Sequence, residues 1–464
     1  MITLNETTVA TLRSNLRGDL LTPEDAGYDE TRRIWNAMID RRPALIARCT
    51  GAVDVIEAVN FARAHDLPVS IRGGGHNVAG YALCDGGLMI DLARMNGVWV
   101  DPQRRTARVQ GGALWGDVDR ETQLFGLATP GGVVSHTGVA GLTLGGGFGY
   151  LSRQYGLTCD NLLSADIVTA DGRLIHTSAE EHPELFWAIQ GGGGNFGVVT
   201  SFEFQLHSVG PMVTAGLIFF PFDQARTVLQ GFRDYAATAP RELFCIPLLR
   251  IAPPAPFLPS SIHGKRVVGI VACHIGALAD GEAAVRPLRT LGDAVVDLIV
   301  PKPYVVHQAM LDATQPHGRC YYWKSEYLPD LSDGVIDTAI EHAEQLTSPF
   351  SLIGFFQLGG AIRDVAAQAA AYGRRDAGYA LNIACSWQDP HEADKHIAWT
   401  RQLWRAMQPY STGGGYINFL SQDDDNTRVQ GALGGPNYAR LVAVKNQYDP
   451  TNFFHMNQNI KPTV

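Results

Sequence analysis

LPVSIRGGGHN (Leu67–Asn77) decides how this chain folds: a short apolar strand runs straight into three consecutive glycines, then a histidine and an asparagine. Glycines without a Cβ expose bare backbone N–H groups and accept positive φ. A nest of such groups suits a pyrophosphate, with Arg72 placed to add charge. The loop is not GxGxxG opening a helix with an acidic residue about 20 positions on, and it is not GxxxxGK[ST]. The nicotinamide-dinucleotide fingerprint is therefore weak here, and a P-loop is excluded. Taken alone, the loop also reads as a tight structural turn. Upstream, ALIARC (Ala44–Cys49) reads as a buried strand, and Val55, Ile56, Val59, Phe61 and Ala62 recur at helical spacing within Val53–His65. The chain thus predicts a β-α-β unit that ends on the glycine loop.

Two further glycine clusters follow, GVVSHTGVAGLTLGGGFGYLSRQYGLTCDN (Gly132–Asn161) and GGGGNFGVVT (Gly191–Thr200). Of the 50 glycines in 464 residues, 26 fall between Gly73 and Gly197, so backbone must approach something closely in that window. The 25 prolines are an ordinary number, and 45% hydrophobic content rules out a disordered or collagen-like chain. Three separated loops lining one long ligand point to a dinucleotide. Ser135, His136 and Thr137, just ahead of the second cluster, offer groups to ring heteroatoms.

Further strands are predicted at Gly87–Met95, Gly97–Asp101 and Thr106–Gln110, a helix at Ala113–Phe125, and a hairpin at Ala165–Thr177 around Asp171-Gly172. After Gly210-Pro211 the glycines thin out. Strand-like runs (217–222, 266–276, 320–328, 351–360, 379–387) alternate with helical stretches (223–237, 279–291, 332–346, 366–372, 391–407). A helical lead-in is expected over residues 1–40. The formal charge of −9, with no basic stripe, speaks against nucleic acid. The seven cysteines (Cys49, Cys84, Cys159, Cys245, Cys273, Cys320, Cys385) form no CxxC pair, so neither a zinc knuckle nor a disulfide framework is expected and metal ligands are not predicted. The first twenty residues show no leader pattern, and no apolar run reaches the ~20 residues of a membrane span. A cytoplasmic protein is the expectation; oligomeric state is not legible.

RGGGHN, TGVAGLTLGGGFGYLSRQYGL with its following DN, LFWAIQGGGGNFGVVTSFEF and the tail YDPTNFFHMNQNIKP together resemble the FAD-linked oxidases of the vanillyl-alcohol oxidase/PCMH superfamily, and within it the berberine-bridge-enzyme-like group. The resemblance runs from about Pro43 to Pro462. It implies an α+β fold: a PCMH-type FAD-binding domain of two α/β subdomains (1–207, core about 40–207), a substrate domain with a mainly antiparallel sheet flanked by helices (208–412), and a C-terminal segment (413–464) returning to the FAD domain. It implies FAD bonded covalently through its 8α carbon to His76. Relatives that add a second bond carry a cysteine where this chain has Val134, and Cys159 lies too far along to replace it, so attachment through His76 alone is implied. Ile71, Arg72, Gly73, Gly74, Gly75, His76 and Asn77 would cradle the pyrophosphate. Ser135, His136, Thr137, Gly138, Gly141, Gly145, Gly146 and Gly147 would follow the cofactor, Gly197, Val198 and Val199 would lie near the adenine, and Asn457 and Asn459 would return to the ring or ribityl region.

For the substrate side, YYWKSEYL (Tyr321–Leu328) alternates as a strand, so Tyr322, Lys324 and Glu326 share one face and Tyr321, Trp323 and Ser325 the other. Tyr322, Lys324 and Glu326 are expected to line a cavity or to face solvent, and Gln357 is a weaker candidate of the same kind. By resemblance, Tyr416 occupies the position of a tyrosinate-like base in sugar-oxidising relatives, with Asn418 on the same face if the segment is a strand. Lys324 is its expected cationic partner, and His136 is a second acid–base candidate. The implied activity is hydride transfer from a small apolar or aromatic alcohol, amine or natural-product intermediate to the flavin, with O2 as acceptor. Alternatives are an oxygenase or cyclase of secondary metabolism, a dehydrogenase using another acceptor, and a binding protein that has lost FAD.

Overall fold

The computed structural model describes residues 5–464. Its first sheet orders β1 (Asp19–Leu21), β2 (Leu45–Arg48), β4 (Leu88–Asp91) and β3 (Val69–Arg72), with β2, β4 and β3 parallel. The helix Ala52–Ala64 makes the crossover from β2 to β3 and buries Val55, Ala58, Val59 and Ala62. It is the helix the apolar spacing predicts, and the glycine loop leaves the carboxyl end of β3. A second, antiparallel sheet orders β5 (Val98–Asp101), β6 (Thr106–Gln110), β9 (Val198–Gln205), β7 (Leu162–Val168) and β8 (Leu174–Ser178). The Asp171-Gly172 turn joins β7 to β8, and Gly172 takes φ +80° there.

The third sheet is eight-stranded and antiparallel. Its main path is β10 (Met212–Pro221), β12 (Arg266–His274), β11 (Leu243–Ile251), β14 (Leu352–Gln357), β15 (Tyr379–Trp387) and β13 (Cys320–Leu328), and two short strands, Val296–Asp297 and Val300–Pro303, pair with β10. Helices Ala225–Ala236, Asp333–Ala343 and Ala393–Met407 cover one face. Leu229, Phe232, Val335, Ile336, Trp399 and Leu403 pack there against Leu249, Val268, Ile353 and Ile383 of the sheet. Truncating a buried aromatic such as Phe232 to alanine would cost about 3–5 kcal/mol. The opposite face looks toward the glycine loops.

Three expectations are corrected. The lead-in is mixed: the helix Glu6–Asn15 is followed by β1, which pairs with β2. No helix spans Ala366–Tyr372; a single turn at Ala361–Asp364, entered through Gly359 and Gly360 at positive φ, is followed by irregular turns. And β11, LFCIPLLRI, is a central strand that the sequence reading passed over. Its Pro247 donates no ladder bond, which ordinarily demotes a run from the sheet interior.

The C-terminal segment reaches back in two places. Residues 412–421 run along the free edge of β13. Thr412 N–H donates to Tyr327 O (2.9 Å), Tyr327 N–H to Gly414 O (3.1 Å), and Trp323 N–H to Ser421 Oγ (3.3 Å). An edge that would otherwise present unpaired backbone is thereby closed. Further on, the buried Lys445 Nζ donates to Asn195 O (2.8 Å) in the third glycine loop and to Phe454 O (3.0 Å), and pairs with Asp449 (2.5 Å). Among the described residues no helix is long and apolar enough to cross a membrane.

Candidate functional site

One long cavity runs between the glycine loops and the open face of the third sheet. Its cofactor wall is built from Ile71, Gly73–Asn77, Val134, Thr137, Gly138, Gly141, Gly193, Gly194, Gly197–Val199, Asn418, Asn457 and Gln458. The first and second loops meet back to back: a Cβ on Gly74 would sit 2.4 Å from Gly138 N, so only glycine allows the two chains to run this close. Gly75 takes φ +70°, which turns the next residue, His76, inward from the end of β3.

His76 is held on both sides. Trp35 stacks on its ring at 4.7 Å and on Tyr321 at 3.5 Å. Its Nε2 shares a hydrogen bond of 2.7 Å with His136 Nδ1. Burial, and then the nearby His136 and His317 rings, push the His76 pKa well below its ordinary value, so the ring is neutral and its free nitrogen is nucleophilic. Ligand atoms of His76, His136 and His317 all lie within 4.8 Å of one another.

The opposite wall is apolar and aromatic. Phe148 lies 4.3 Å from Tyr416 and 5.4 Å from Phe356, and Phe419 lies 4.8 Å from Tyr416 and 5.4 Å from Trp323, centroid to centroid. Ile246, Leu248 and Arg250 of β11, with Asn382 and Ala384 of β15, complete it. The Tyr416 hydroxyl oxygen accepts from Gly147 N–H (3.1 Å) and Asn418 Nδ2 (2.8 Å). Burial raises its pKa far above the ordinary phenol value, against the lowering effect of the Asn418 and Gly147 hydrogen bonds, so Tyr416 is a neutral phenol. Residues 417–419 form a turn of 3-10 helix rather than a strand, and Asn418 meets Tyr416 through that turn.

Several expected site residues point elsewhere. Lys324 pairs with Asp423 (2.9 Å) and Asp424 (3.0 Å), and its side chain is 2% exposed. Glu326 accepts from Trp404 Nε1 (2.6 Å) and Ser411 Oγ and pairs with Arg428 (2.7 Å), while Tyr322 O–H donates to Asp423 (2.6 Å). The alternation along β13 holds, yet this face lies beneath the helix Ala393–Met407, neither in the cavity nor in solvent. Lys324 is therefore no partner for Tyr416. Arg72 gives its guanidinium to Thr31 O and faces the buried Asp91 at 3.8 Å, and it is not among the residues that line the cavity. Ser135 is spent on Asp312, through its N–H (2.8 Å) and Oγ (2.5 Å). Gly145, Gly146 and Gly147 pack against Asn418, Tyr372 and Thr158 respectively and do not line the wall; their service is to place Gly147 N–H on Tyr416. Asn459, Gln357 and His136 lie outside the lining, and His136 is hydrogen-bonded to His76.

Unmatched polar atoms show what the cavity is built to receive. Asn457 Oδ1 and Gln458 Nε2 on the cofactor wall, and Gln315 Oε1, Trp323 Nε1 and Asn382 Oδ1 on the other, are buried without a hydrogen-bond partner. Buried polar groups are normally paired. A cradle of bare glycine backbone, orphaned amides and a neutral inward histidine fits FAD. Trp35, Tyr81, Phe148, Arg250, His317, Asn382 and Phe419 were missed from sequence. Trp35 and Phe419 carry no motif, and Arg250 sits on the unrecognised strand β11.

Comparison with known proteins bears on the same regions. A model described as FAD binding domain matches residues 43–178, and one described as berberine and berberine-like matches residues 415–461. The chain is 32% identical over 432 residues to an FAD-linked oxidoreductase of Dictyostelium discoideum, covering 92% of this chain and 91% of that one. It is 32% identical over 464 residues to (R)-6-hydroxynicotine oxidase of Paenarthrobacter nicotinovorans, covering 97% of each. A solved structure of 6-hydroxy-D-nicotine oxidase from Arthrobacter nicotinovorans superimposes with a TM-score of 0.87 at 30% identity, over 96% of this chain and 98% of that one.

Proposed function

The chain belongs to the berberine-bridge-enzyme-like FAD-linked oxidoreductases, and from that premise we propose that it is an oxidase acting on a small, largely apolar or aromatic molecule, with FAD attached through His76 alone. That it is an oxidoreductase using FAD follows from the family. The observation that carries the finer reading is His76: a buried, neutral imidazole at the turn out of β3, stacked on Trp35 and hydrogen-bonded to His136.

FAD supplies the electron sink for a substrate C–H bond when it is bound. Everything else is the work of this chain's residues. With Nε2–H of His76 donating to His136 Nδ1, the other ring nitrogen keeps its lone pair, and His136 is placed to take up the Nε2 proton as His76 forms its bond. Val134, which by the resemblance stands at the position of the second-bond cysteine, lines the cavity, and none of the seven cysteines is among the lining residues, which supports a single link. Tyr416, its oxygen already accepting two N–H groups, has its own O–H to donate to a substrate heteroatom. Phe148, Phe356, Phe419 and Trp323 exclude water and favour a flat apolar body over a hydrated sugar.

The domain reading, 1–207 and 413–464 around FAD and 208–412 for substrate, is supported by the position of the sheets and by the Lys445 anchor on the third glycine loop. An anaerobic holoenzyme mixed with a panel of phenols, secondary amines and cyclic alcohols, then opened to air, tests the activity. Bleaching of the flavin by at least one apolar class, with colour and H2O2 returning on exposure to O2, is expected. Bleaching that reverses only with an added artificial acceptor would make the protein a dehydrogenase.

A further inference from the structure

The cavity face of the third sheet is ordered in cross-strand rows. Arg250 on β11 pairs with Leu352 on β14, Leu352 with Ala384 on β15, and Ala384 with Trp323 on β13. The next row runs Leu248, Gly354, Asn382 and Ser325. In this apolar field Arg250 is 8% exposed and lines the cavity. Its only hydrogen bond within the described residues is from Nε to Ile251 O at 3.1 Å, and both terminal amino groups of the fork are left over. No carboxylate of the described chain lies within salt-bridge distance of it, and no carboxylate lines the cavity. The neighbouring charge that bears on it is a second cation, Arg319, and burial together with that repulsion lowers its pKa to about 10.

A buried guanidinium with no counter-charge is costly, and natural chains keep one only where something else pairs with it. The fork also has a preferred partner: two parallel N–H groups match the two oxygens of a planar carboxylate. Across the sheet stand two more unsatisfied polar atoms, Trp323 Nε1 as donor and Asn382 Oδ1 as acceptor. The row therefore has a cationic end at Arg250 and a polar, aromatic end at Trp323, separated by the small apolar Leu352 and Ala384.

We propose that the substrate is an aromatic or alicyclic carboxylate whose anionic group pairs with Arg250 while its ring lies over Leu352 and Ala384 toward Trp323 and Tyr416. The inference rests on the reading of this cavity as the substrate side of a flavin site, and it narrows the substrate class within that reading. Arg250 is then a specificity-determining residue: it selects the anion and fixes which end of the molecule faces Tyr416.

The test uses the holoenzyme titrated with benzoate and with its neutral isostere benzamide, read by the change in flavin absorbance. Benzoate is expected to bind at least tenfold more tightly than benzamide. In Arg250→Met the benzoate affinity should fall by about tenfold to a hundredfold, with benzamide affinity and flavin content unchanged. Arg250→Lys should keep part of the preference. Because the methionine removes an unpaired buried charge, its melting temperature should not fall, which separates a lost anion contact from a lost fold. Equal binding of the two probes, binding of neither, or a preference that survives in Arg250→Met would overturn the proposal. So would loss of flavin from Arg250→Met, which would assign the guanidinium to the cofactor. Wild-type protein purified without flavin would instead refute the underlying reading, before any titration.

Discussion

Trp323 and Lys324 are neighbours on β13, yet Trp323 looks into the cavity and Lys324 into a charge network under the helix Ala393–Met407. The cavity face of this edge strand keeps polar atoms waiting: Trp323 Nε1 has no partner. The helix-covered face leaves little unspent. Lys324 answers Asp423 and Asp424, Glu326 answers Arg428, Trp404 and Ser411, and Tyr322 and Arg401 share Asp423. Unmatched groups mark a surface prepared for a ligand, whereas matched ones mark a surface that fixes geometry. Here the fixed geometry is that of residues 412–424, which carry Tyr416 and Asn418 along the edge of β13. The network holds that segment from behind, and Ser325 Oγ, accepting from Tyr416 N–H at 3.2 Å, holds it from the side.

The contrast breaks most readily at Lys324. Lys324→Met would leave Asp423 to Arg401 and Tyr322, and the buried Asp424 to the more distant Arg428 (3.6 Å) alone; removing one partner of a buried pair costs up to about 3–5 kcal/mol. Chemical denaturation should show that loss, while flavin content and the rate of flavin reduction in the surviving folded fraction stay within about twofold. A large kinetic defect with unchanged stability would return Lys324 to the chemistry. The complementary substitution is Tyr416→Phe. Losing one hydrogen bond to the bound substrate should slow flavin reduction by about tenfold to a hundredfold in stopped flow, and leaving the Gly147 N–H without its acceptor, with Asn418 Nδ2 kept only by Leu142 O, should cost about 1–3 kcal/mol. An unchanged reduction rate would remove Tyr416 from the reaction.

The smallest effect concerns acid. Burial alone would raise the Asp423 pKa, but hydrogen bonds from Tyr322 and Lys324, the Lys324 charge and Arg401 outweigh it and hold it at about 2, below the ordinary 3.8. A depressed carboxylate pKa stabilises the fold above the unfolded value, and that contribution is lost as pH falls from about 4 toward 2. Asp423 is about one-third exposed, so about 1–2 kcal/mol is at stake after screening. Asp423→Asn should flatten the stability profile across that window, measured by urea denaturation, and an unaltered slope would place the acid-sensitive group elsewhere.

What was legible in the sequence divides along the same line. The glycine loops announce themselves because backbone geometry demands one residue type, so the β-α-β unit and a long ligand along three loops could be read from spacing, while the role of His76 and the course of the cofactor wall came from the family resemblance. The period-2 pattern of β13 was legible as well. Which face met the cavity was not, because Asp423, Asp424 and Arg428 arrive from about 100 residues away and no local pattern forecasts a buried charge network. Arg250 was hidden for a different reason. LFCIPLLRI is apolar throughout and interrupted by Pro247, so it shows neither alternation nor clean boundaries, although in the sheet Ile246, Leu248 and Arg250 fall on one face. Likewise the glycines at 145–147 were legible as necessary but not as structural, since Tyr372 and Asn418 press on them only once the chain has closed.

The central claim is that the neutral, paired His76 is the one covalent anchor of the cofactor. Intact-mass analysis of the acid-denatured protein, followed by peptide mapping, tests it directly. The expected result is a single FAD adduct on the peptide bearing residue 76, absent from His76→Ala and slowed in forming by His136→Ala. Free FAD in the supernatant above a colourless pellet, or an adduct on any other peptide, would contradict it.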